Sequence, residues 1–345
     1  MLTSALRVGV VGAGAMGFDH IKRLSGTITG AVVSAVIEPD EDRRDIALAH
    51  APEAQGFASV DEAIAAGALD AALIATPGQF HEAGLLTCLQ AGLPILCEKP
   101  LTKDPESSWR VVEAEIAGGK KLVQVGFMRR FDPEYEQLRE LIASGRVGEL
   151  LMIHAVHRNP SVPDSYDQPM LINDSVVHEF DVGPWLAGGS VTSVEVRHGR
   201  RNPNTPAHLK EPILVLMELD NGVLIDVEMN VSVRFGYQVA TEAVMADGIA
   251  RIGQPSGLQV WQNATFSIPE HADFTTRFTQ AYDRQVQAWV TAARRFLTGE
   301  AAEAVAGPSA WDGYRVAVCC AAGVTALDRS GPVPVELPPV PEFYR

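Results

Sequence analysis

The sequence predicts an α/β chain in two parts: a doubly wound parallel sheet over residues 1–127, then an α+β part over 128–345 built on a large, mainly antiparallel open sheet. Three observations predict it. Valine-rich runs alternate with helix-compatible segments up to about residue 127, glycines punctuate the first strand-to-helix turn, and beyond residue 128 strand-like runs follow one another with few helices between. The first rhythm requires parallel strands joined by crossover helices; the second suits hairpins.

The run Leu6–Val11, with Val8, Val10 and Val11, reads as a strand buried on both faces. It ends in Gly12-Ala13-Gly14-Ala15-Met16-Gly17, where a helix-compatible segment begins. In this spacing Gly12 permits the tight turn, Gly14 removes the side chain that would hold a pyrophosphate off the backbone, and Gly17 lets helix and strand pack closely. The unpaired amides and positive dipole end of the helix then face the phosphates. A second valine-rich run, Ala31–Ile37, leads into Glu38, about 20 residues past Gly17, where a dinucleotide fold places the acid that holds the ribose hydroxyls. A solvated strand end is the plainer reading of the same residue. Glu38 repels a 2′-phosphate and accepts from a free 2′-hydroxyl, which favours NAD over NADP. Arg43 and Arg44, in the following helix, are the side chains that would bind a phosphate instead.

Helices follow over 40–49 and 60–66, then a strand over 69–75 ending in Thr76-Pro77-Gly78, a helix over 79–91 and a strand over 94–97. A helix over 105–117 and a strand over 122–127 close the first part. Ligands of such a sheet sit beyond the carboxyl ends of its strands, so residues 12–17, Glu38, 76–81, 98–100 and 127–129 are expected along one edge. In the second part, strands are expected over 150–157, 191–198, 213–219, 223–230 and 239–245, with hairpin turns at Asp220-Asn221-Gly222 and Asp247-Gly248. Helices are expected over 133–144, 175–187, 275–298 and 308–327, and the proline-rich 331–341 reads as an extended tail that packs on a neighbour. An open sheet face needs covering, which makes a homo-oligomer, dimer or tetramer, the expected assembly.

At 345 residues and 46% hydrophobic, the chain can bury two cores. A formal net charge of −15 with no basic cluster argues against a nucleic-acid partner. Cys88, Cys97, Cys319 and Cys320 form no Cys-x-x-Cys, so reduced, buried thiols are expected. No apolar run approaches the roughly 20 residues that span a bilayer, and the chain starts on a strand rather than a leader, so the expected location is the cytoplasm.

Two stretches carry chemistry. Lys99, in Cys97-Glu98-Lys99-Pro100-Leu101, follows a strand at the ligand edge, where an ammonium can bond a substrate oxygen and favour alkoxide character. On spacing alone a solvated lysine is the commoner reading. Asp174 and His178, four apart, share one side of a helix. Histidine can take a hydroxyl proton at neutral pH while a carboxylate orients the ring. Asp174 can equally be a helix cap and His178 a buried polar residue with a backbone partner. His154 and His157, three apart in a strand, point to opposite faces, and His178-Glu179 lacks a compact ligand set, so no metal is expected. No Gly-x-Ser-x-Gly elbow or arranged cysteine nucleophile is present.

Together these stretches resemble the glucose-fructose oxidoreductase, inositol dehydrogenase and MocA family across nearly the whole chain. The resemblance rests on Gly12-Ala-Gly14-Ala-Met-Gly17, Thr76-Pro77 with His81, Glu98-Lys99-Pro100-Leu101 and the Asp174, His178 pair. Gly126-Phe127-Met128-Arg129-Arg130-Phe131-Asp132 is similar to the inositol-oxidising branch. The resemblance implies a Rossmann domain that holds NAD through Gly12, Ala13, Gly14, Ala15, Met16, Gly17, Glu38, Thr76, Pro77, His81, Glu98 and Lys99. It implies His178 as base, Asp174 as its support and Lys99 on the reacting hydroxyl, with Arg129, Asn159, Ser175 and Tyr237 around a polyol. The implied reaction is NAD-dependent oxidation of a cyclitol, myo-inositol to 2-keto-myo-inositol. Another inositol isomer, an aldose, or a nucleotide-binding sensor without turnover are the alternatives. Gly78 departs from the family, which commonly has asparagine after Thr-Pro, so a contact near the nicotinamide ribose is missing or supplied by His81 or Gln79.

Overall fold

The computed structural model describes residues 5–345. They form two compact units, the first comprising the described residues up to Met128 with Tyr282–Ala317 and Pro338–Arg345, the second Arg129–Ala281 with Val318–Leu337.

The first unit opens with β1 (Leu6–Val11), α1 (Ala15–Gly26), β2 (Ala31–Ile37), α2 (Glu41–Leu48), β3 (Gln55–Phe57) and α3 (Val60–Ala65). It continues through β4 (Ala71–Ile74), α4 (His81–Gln90), β5 (Ile95–Cys97), α5 (Pro105–Gly118) and β6 (Val123–Val125). The six strands are parallel in the order β3-β2-β1-β4-β5-β6, so the winding reverses between β1 and β4. Helix starts follow local chemistry. Asp40, Ser59 and Asp104 each accept an amide of the first turn of α2, α3 and α5, and Pro105 follows Asp104 where its missing N–H costs nothing. In this sheet only β3 was not expected from the sequence: Gln55-Gly56-Phe57 is too short to show a period, and its pairing with β2 makes it a strand.

The second unit contains α6 (Pro133–Ala143), β7 (Leu150–Arg158), α7 (Val177–Ala187), β8 (Val191–His198), β9 (Ile213–Leu219), β10 (Leu224–Asn230), β11 (Gln238–Met245) and β12 (Gly248–Ile252). A hairpin follows, β13 (Val260–Gln262) and β14 (Thr265–Ser267), and later the short β15 (Val333–Pro334); the helices α8 (Phe274–Leu297) and α9 (Ala310–Ala326) are divided, α8 belonging to the first unit from Tyr282 on and α9 as far as Ala317. Seven strands pair in the order β12-β11-β7-β10-β9-β8-β15, antiparallel throughout except for the parallel β7, β10 pair. Gly222, at φ +84°, closes the β9–β10 turn. One face buries Ile153, Ala155, Val215, Met217, Val227 and Met229; the other carries cross-strand ion pairs, His154 with Asp226 and Arg158 with Glu228.

Two late segments go where a linear division of the chain would not send them. Val286, Trp289, Val290 and Ala293 of α8 pack into the core of the first unit with Val8, Val10, Ile21 and Leu73. In the proline-rich end the short β15 adds to β8, and beyond it the Tyr344 phenol donates to the Glu115 carboxylate of the first unit. No helix among the described residues is long and apolar enough to cross a membrane.

Candidate active site

Every strand of the first sheet delivers its chain to one edge, and the ladder runs one bond past the strand ends. Gly12 N donates to Ile37 O at 2.8 Å, Glu38 N to Phe57 O at 3.0 Å, Ala75 N to Val11 O at 2.8 Å, Glu98 N to Ile74 O at 2.8 Å and Gly126 N to Cys97 O at 2.7 Å. The loops are thus fixed by backbone bonds.

The glycines divide the work. At Gly12 φ is +92° and a Cβ would lie 2.9 Å from Thr76 N, while a Cβ on Gly17 would run into the Gly12 carbonyl. A Cβ on Gly14 would meet nothing within 4 Å. Gly14 therefore keeps clear the space in front of α1. Its own position as N-cap brings no side-chain bond, so first-turn amides of α1 are left for an anion.

Glu38 is buried, its Oε2 accepting from Ala13 N at 2.8 Å and its Oε1 from Asp40 N at 3.2 Å. A carboxylate has more acceptor sites than these two bonds use, so Glu38 can both brace the glycine loop and accept ribose hydroxyls. Arg44 donates to the Glu38 carbonyl at 2.8 Å and lies 3.6 Å from Glu41, and Arg43 sits 3.7 Å from Asp40. Both arginines thus have acidic neighbours at their own helix start. Thr76 Oγ1 is buried without a hydrogen-bond partner. An uncapped helix, cleared space, spare acceptor capacity and an orphaned hydroxyl fit NAD.

His81, expected against the nicotinamide ribose, lies behind the loop. It is wholly buried, with Nδ1 2.8 Å from Pro100 O and Nε2 2.6 Å from Thr76 O, so the ring is wedged between the two loops and its N–H is directed at a backbone carbonyl rather than at a ligand. Gly78 packs beside Pro100, where a Cβ would lie 3.1 Å from Cγ. A side chain there would need Pro100 to give by a few tenths of an ångström. Glu98, expected among the cofactor ligands, is buried with Oε1 2.7 Å from His20 Nε2 and Oε2 accepting from Lys99 N at 3.3 Å. Lys99 itself is half-buried just past β5. Burial pushes the Cys88 thiol up to about 12 and Cys97 well above its ordinary value, so neither is a nucleophile.

In the second unit the helical run begins at Leu171 rather than at 175. Residues Leu171–Val176 form a wide, π-type turn with Met170 as N-cap, and α7 follows directly. Asp174 is therefore inside the run, exposed, and does not cap it; His178 is buried one turn on. Such wide turns recur at functional sites. The turn is held by a relay: the Tyr166 phenol donates to Met170 O at 2.6 Å, which leaves Ser175 Oγ to donate to the phenol oxygen at 2.7 Å. Ser175, expected on the polyol, thus anchors the turn.

Beside His178 lies a cluster that the sequence reading missed. The His157 ring stands 6.3 Å from His178 and 6.0 Å from Tyr237, centroid to centroid, and Tyr237 is edge-on to Phe278 at 6.4 Å. His157 Nδ1 is 3.2 Å from both Glu179 Oε2 and Arg129 Nη2, and Arg129 Nη1 donates to Glu179 Oε1. All three are buried. Burial by itself would raise the Glu179 carboxyl, but Arg129 and then His157 outweigh it and hold it below the usual carboxylate range. Burial would likewise lower Arg129, yet Glu179, followed by the Tyr135 and Tyr237 phenols, lifts it above its ordinary value. Tyr237 is pushed up, chiefly by burial.

Arg129, expected to bridge two hydroxyls, is only 1% exposed, its terminal nitrogens engaged by Glu179 and His157. Asn159 is half-buried, its backbone bonded to Asn230 and Val233. The signal for His157 was available: strand alternation in β7 puts it on the buried face, where a histidine needs a polar partner. No group of three or more His, Cys, Asp or Glu able to hold a metal ion occurs among the described residues.

A glycine-lined, uncapped helix at the switch point of a doubly wound sheet, with a carboxylate past the second strand, defines a dinucleotide-binding α/β protein. Residues 6–127 match the model of an oxidoreductase family with an NAD-binding Rossmann fold, and 135–251 that of the GFO/IDH/MocA C-terminal domain. The chain belongs to the GFO/IDH/MocA oxidoreductase family. It is 61% identical over 343 residues to the inositol 2-dehydrogenase of Corynebacterium glutamicum (strain ATCC 13032), covering 99% of this chain and 100% of that one. It is also 61% identical over 342 residues to the inositol 2-dehydrogenase of Leifsonia xyli subsp. xyli, covering 99% of each. The crystal structure of Lactobacillus casei myo-inositol dehydrogenase in complex with NAD(H) and myo-inositol superposes with a TM-score of 0.94 at 31% identity, over 99% of this chain and 100% of that chain.

Proposed function

We propose that this protein is an NAD-dependent inositol 2-dehydrogenase that oxidises myo-inositol to 2-keto-myo-inositol. The observation that carries the reading is the likeness to the Corynebacterium glutamicum inositol 2-dehydrogenase, which runs from one end of the chain to the other. Bound NAD supplies the hydride acceptor. His178 takes the proton of the reacting hydroxyl, since imidazole is the side chain whose charge changes nearest neutrality. Asp174 steadies the imidazolium, and Lys99 bonds the same oxygen and favours the negative charge that develops there. The chain's other contribution is to orient the polyol, through Tyr237 and Asn159, so that one carbon is presented for reaction. Each ring hydroxyl left unpaired on burial would cost about 1–3 kcal/mol, so the lining must be polar. The enzyme works in the cytoplasm as a homo-oligomer, dimer or tetramer, whose copies cover the open face of the seven-stranded sheet, where Leu151 and Leu214 are exposed beside the ion pairs.

The test is spectrophotometric reduction of NAD and NADP over a panel of inositol isomers and aldoses. Fastest turnover of myo-inositol with NAD is expected. Absence of NAD reduction with every cyclitol would overturn the reading.

A further inference from the structure

We propose that His20 positions Lys99 through Glu98, tying the helix that receives the cofactor phosphates to the residue that binds the reacting hydroxyl. The inference rests on the role proposed for Lys99. His20 lies on α1, wholly buried, and its Nε2 is 2.7 Å from Glu98 Oε1. The other carboxylate oxygen accepts the Lys99 backbone N–H at 3.3 Å. Glu98 is thus a bridge, one oxygen on α1 and the other on the chain that carries Lys99. The bridge is seated with little freedom. Glu98 N is bonded to Ile74 O at 2.8 Å, and a Cβ on Gly126 would lie 2.9 Å from Glu98 Oε2 and 3.0 Å from its Cα, so a side chain at 126 would press on the carboxylate where it now sits.

The histidine has no other evident purpose. Its Nδ1 is buried without a hydrogen-bond partner, and its ring stands edge-on to Tyr282 at 6.1 Å between centroids. Filling that space with an apolar ring would avoid an orphaned nitrogen, which is unfavourable in a protein interior. What the imidazole adds is the donor for Glu98. Without it the carboxylate would be buried with one oxygen unmet and free to turn, and the Lys99 amide would lose its anchor. Misplacing a reacting group by about 1 Å can cost on the order of 100-fold in rate.

The experiment compares His20→Phe and His20→Gln in the full chain. Turnover of myo-inositol, NAD affinity by fluorescence titration and hydrogen exchange at the Lys99 amide are measured. His20→Phe is expected to lower kcat about 10- to 100-fold, with KM and NAD affinity within about threefold, and to speed exchange at Lys99 about tenfold or more. His20→Gln, whose amide can donate to Glu98, is expected to restore at least half of that loss on a logarithmic scale. An unchanged kcat in His20→Phe, or a His20→Gln no better than His20→Phe, overturns the inference. If His20→Phe does not fold, the unsubstituted protein decides: a Lys99 amide that exchanges as fast as an open loop overturns it equally. Should the unsubstituted protein reduce no NAD with any inositol, the proposed function falls while the exchange measurement still tests the bridge.

Discussion

The ligand edge of the first sheet and the surroundings of His178 solve the problem of holding polar groups in opposite ways. At the edge, the chemistry is backbone chemistry: glycines, uncapped amides of α1 and ladder bonds that run past the strand ends, with Glu38 bracing the turn. Around His178 it is side-chain chemistry: an arginine, a glutamate and a histidine buried together. Backbone sites tolerate little change in shape, and charge clusters tolerate little change in charge. The two regions should therefore fail differently when they are altered.

The largest effect is expected at the reacting groups. Lys99→Met and His178→Ala should each lower kcat about 10²- to 10⁴-fold while leaving NAD affinity within about threefold. Initial-rate kinetics and a binding titration check this. If the two residues act in one step, the double variant loses less than the product of the single losses. Strict multiplicativity would separate their roles.

Glu179→Gln attacks the charge cluster without changing its shape, and breaking a buried pair by removing one partner costs about 3–5 kcal/mol. Urea unfolding measures it. The pH dependence has a definite sign. Because the folded Glu179 carboxyl sits below its ordinary value, its contribution is fully present above the unfolded pKa of about 4.3 and is lost as pH falls through the folded value. The stability difference between the unsubstituted protein and Glu179→Gln should hold steady from neutral pH down to about 5 and shrink below that. A difference that does not change with pH would mean the carboxylate is not held ionised by Arg129.

At the backbone edge, Glu38→Ser should shift the ratio of NADP to NAD use upward by about 10- to 100-fold, since it removes the charge that opposes a 2′-phosphate. NAD affinity should fall as well, because the bond from Ala13 N is lost. An unchanged cofactor ratio would take Glu38 out of the contact.

How much of each region the sequence revealed follows from the same contrast. Gly12, Gly14, Gly17 and Glu38 belong to a local pattern whose reason is steric, so the turn and its purpose could be read from a few neighbouring residues. The Arg129, His157 and Glu179 cluster has no such pattern: it exists only because β7, α7 and the chain after β6 fold against one another. From sequence, Arg129 therefore looks like a residue for a ligand, and His157, weighed with His154 only as a metal ligand, shows no sign of its partners. His81 shows the same thing, since a histidine near a ligand edge looks the same in sequence whether it faces outward or, as here, sits buried between two backbone carbonyls.

Ser175 allows the smallest and sharpest test. As a group on the polyol, its loss would raise the KM for inositol. As the donor to Tyr166, whose own proton goes to Met170 O, its loss leaves a buried phenol oxygen without a donor and slackens the wide turn that carries Asp174. Ser175→Ala should then cost about 1 kcal/mol of stability with KM within about twofold, read by urea unfolding and initial rates on the same preparation. A raised KM at unchanged stability would return Ser175 to the substrate and make this turn, like the glycine loop, a place where function was legible from the sequence.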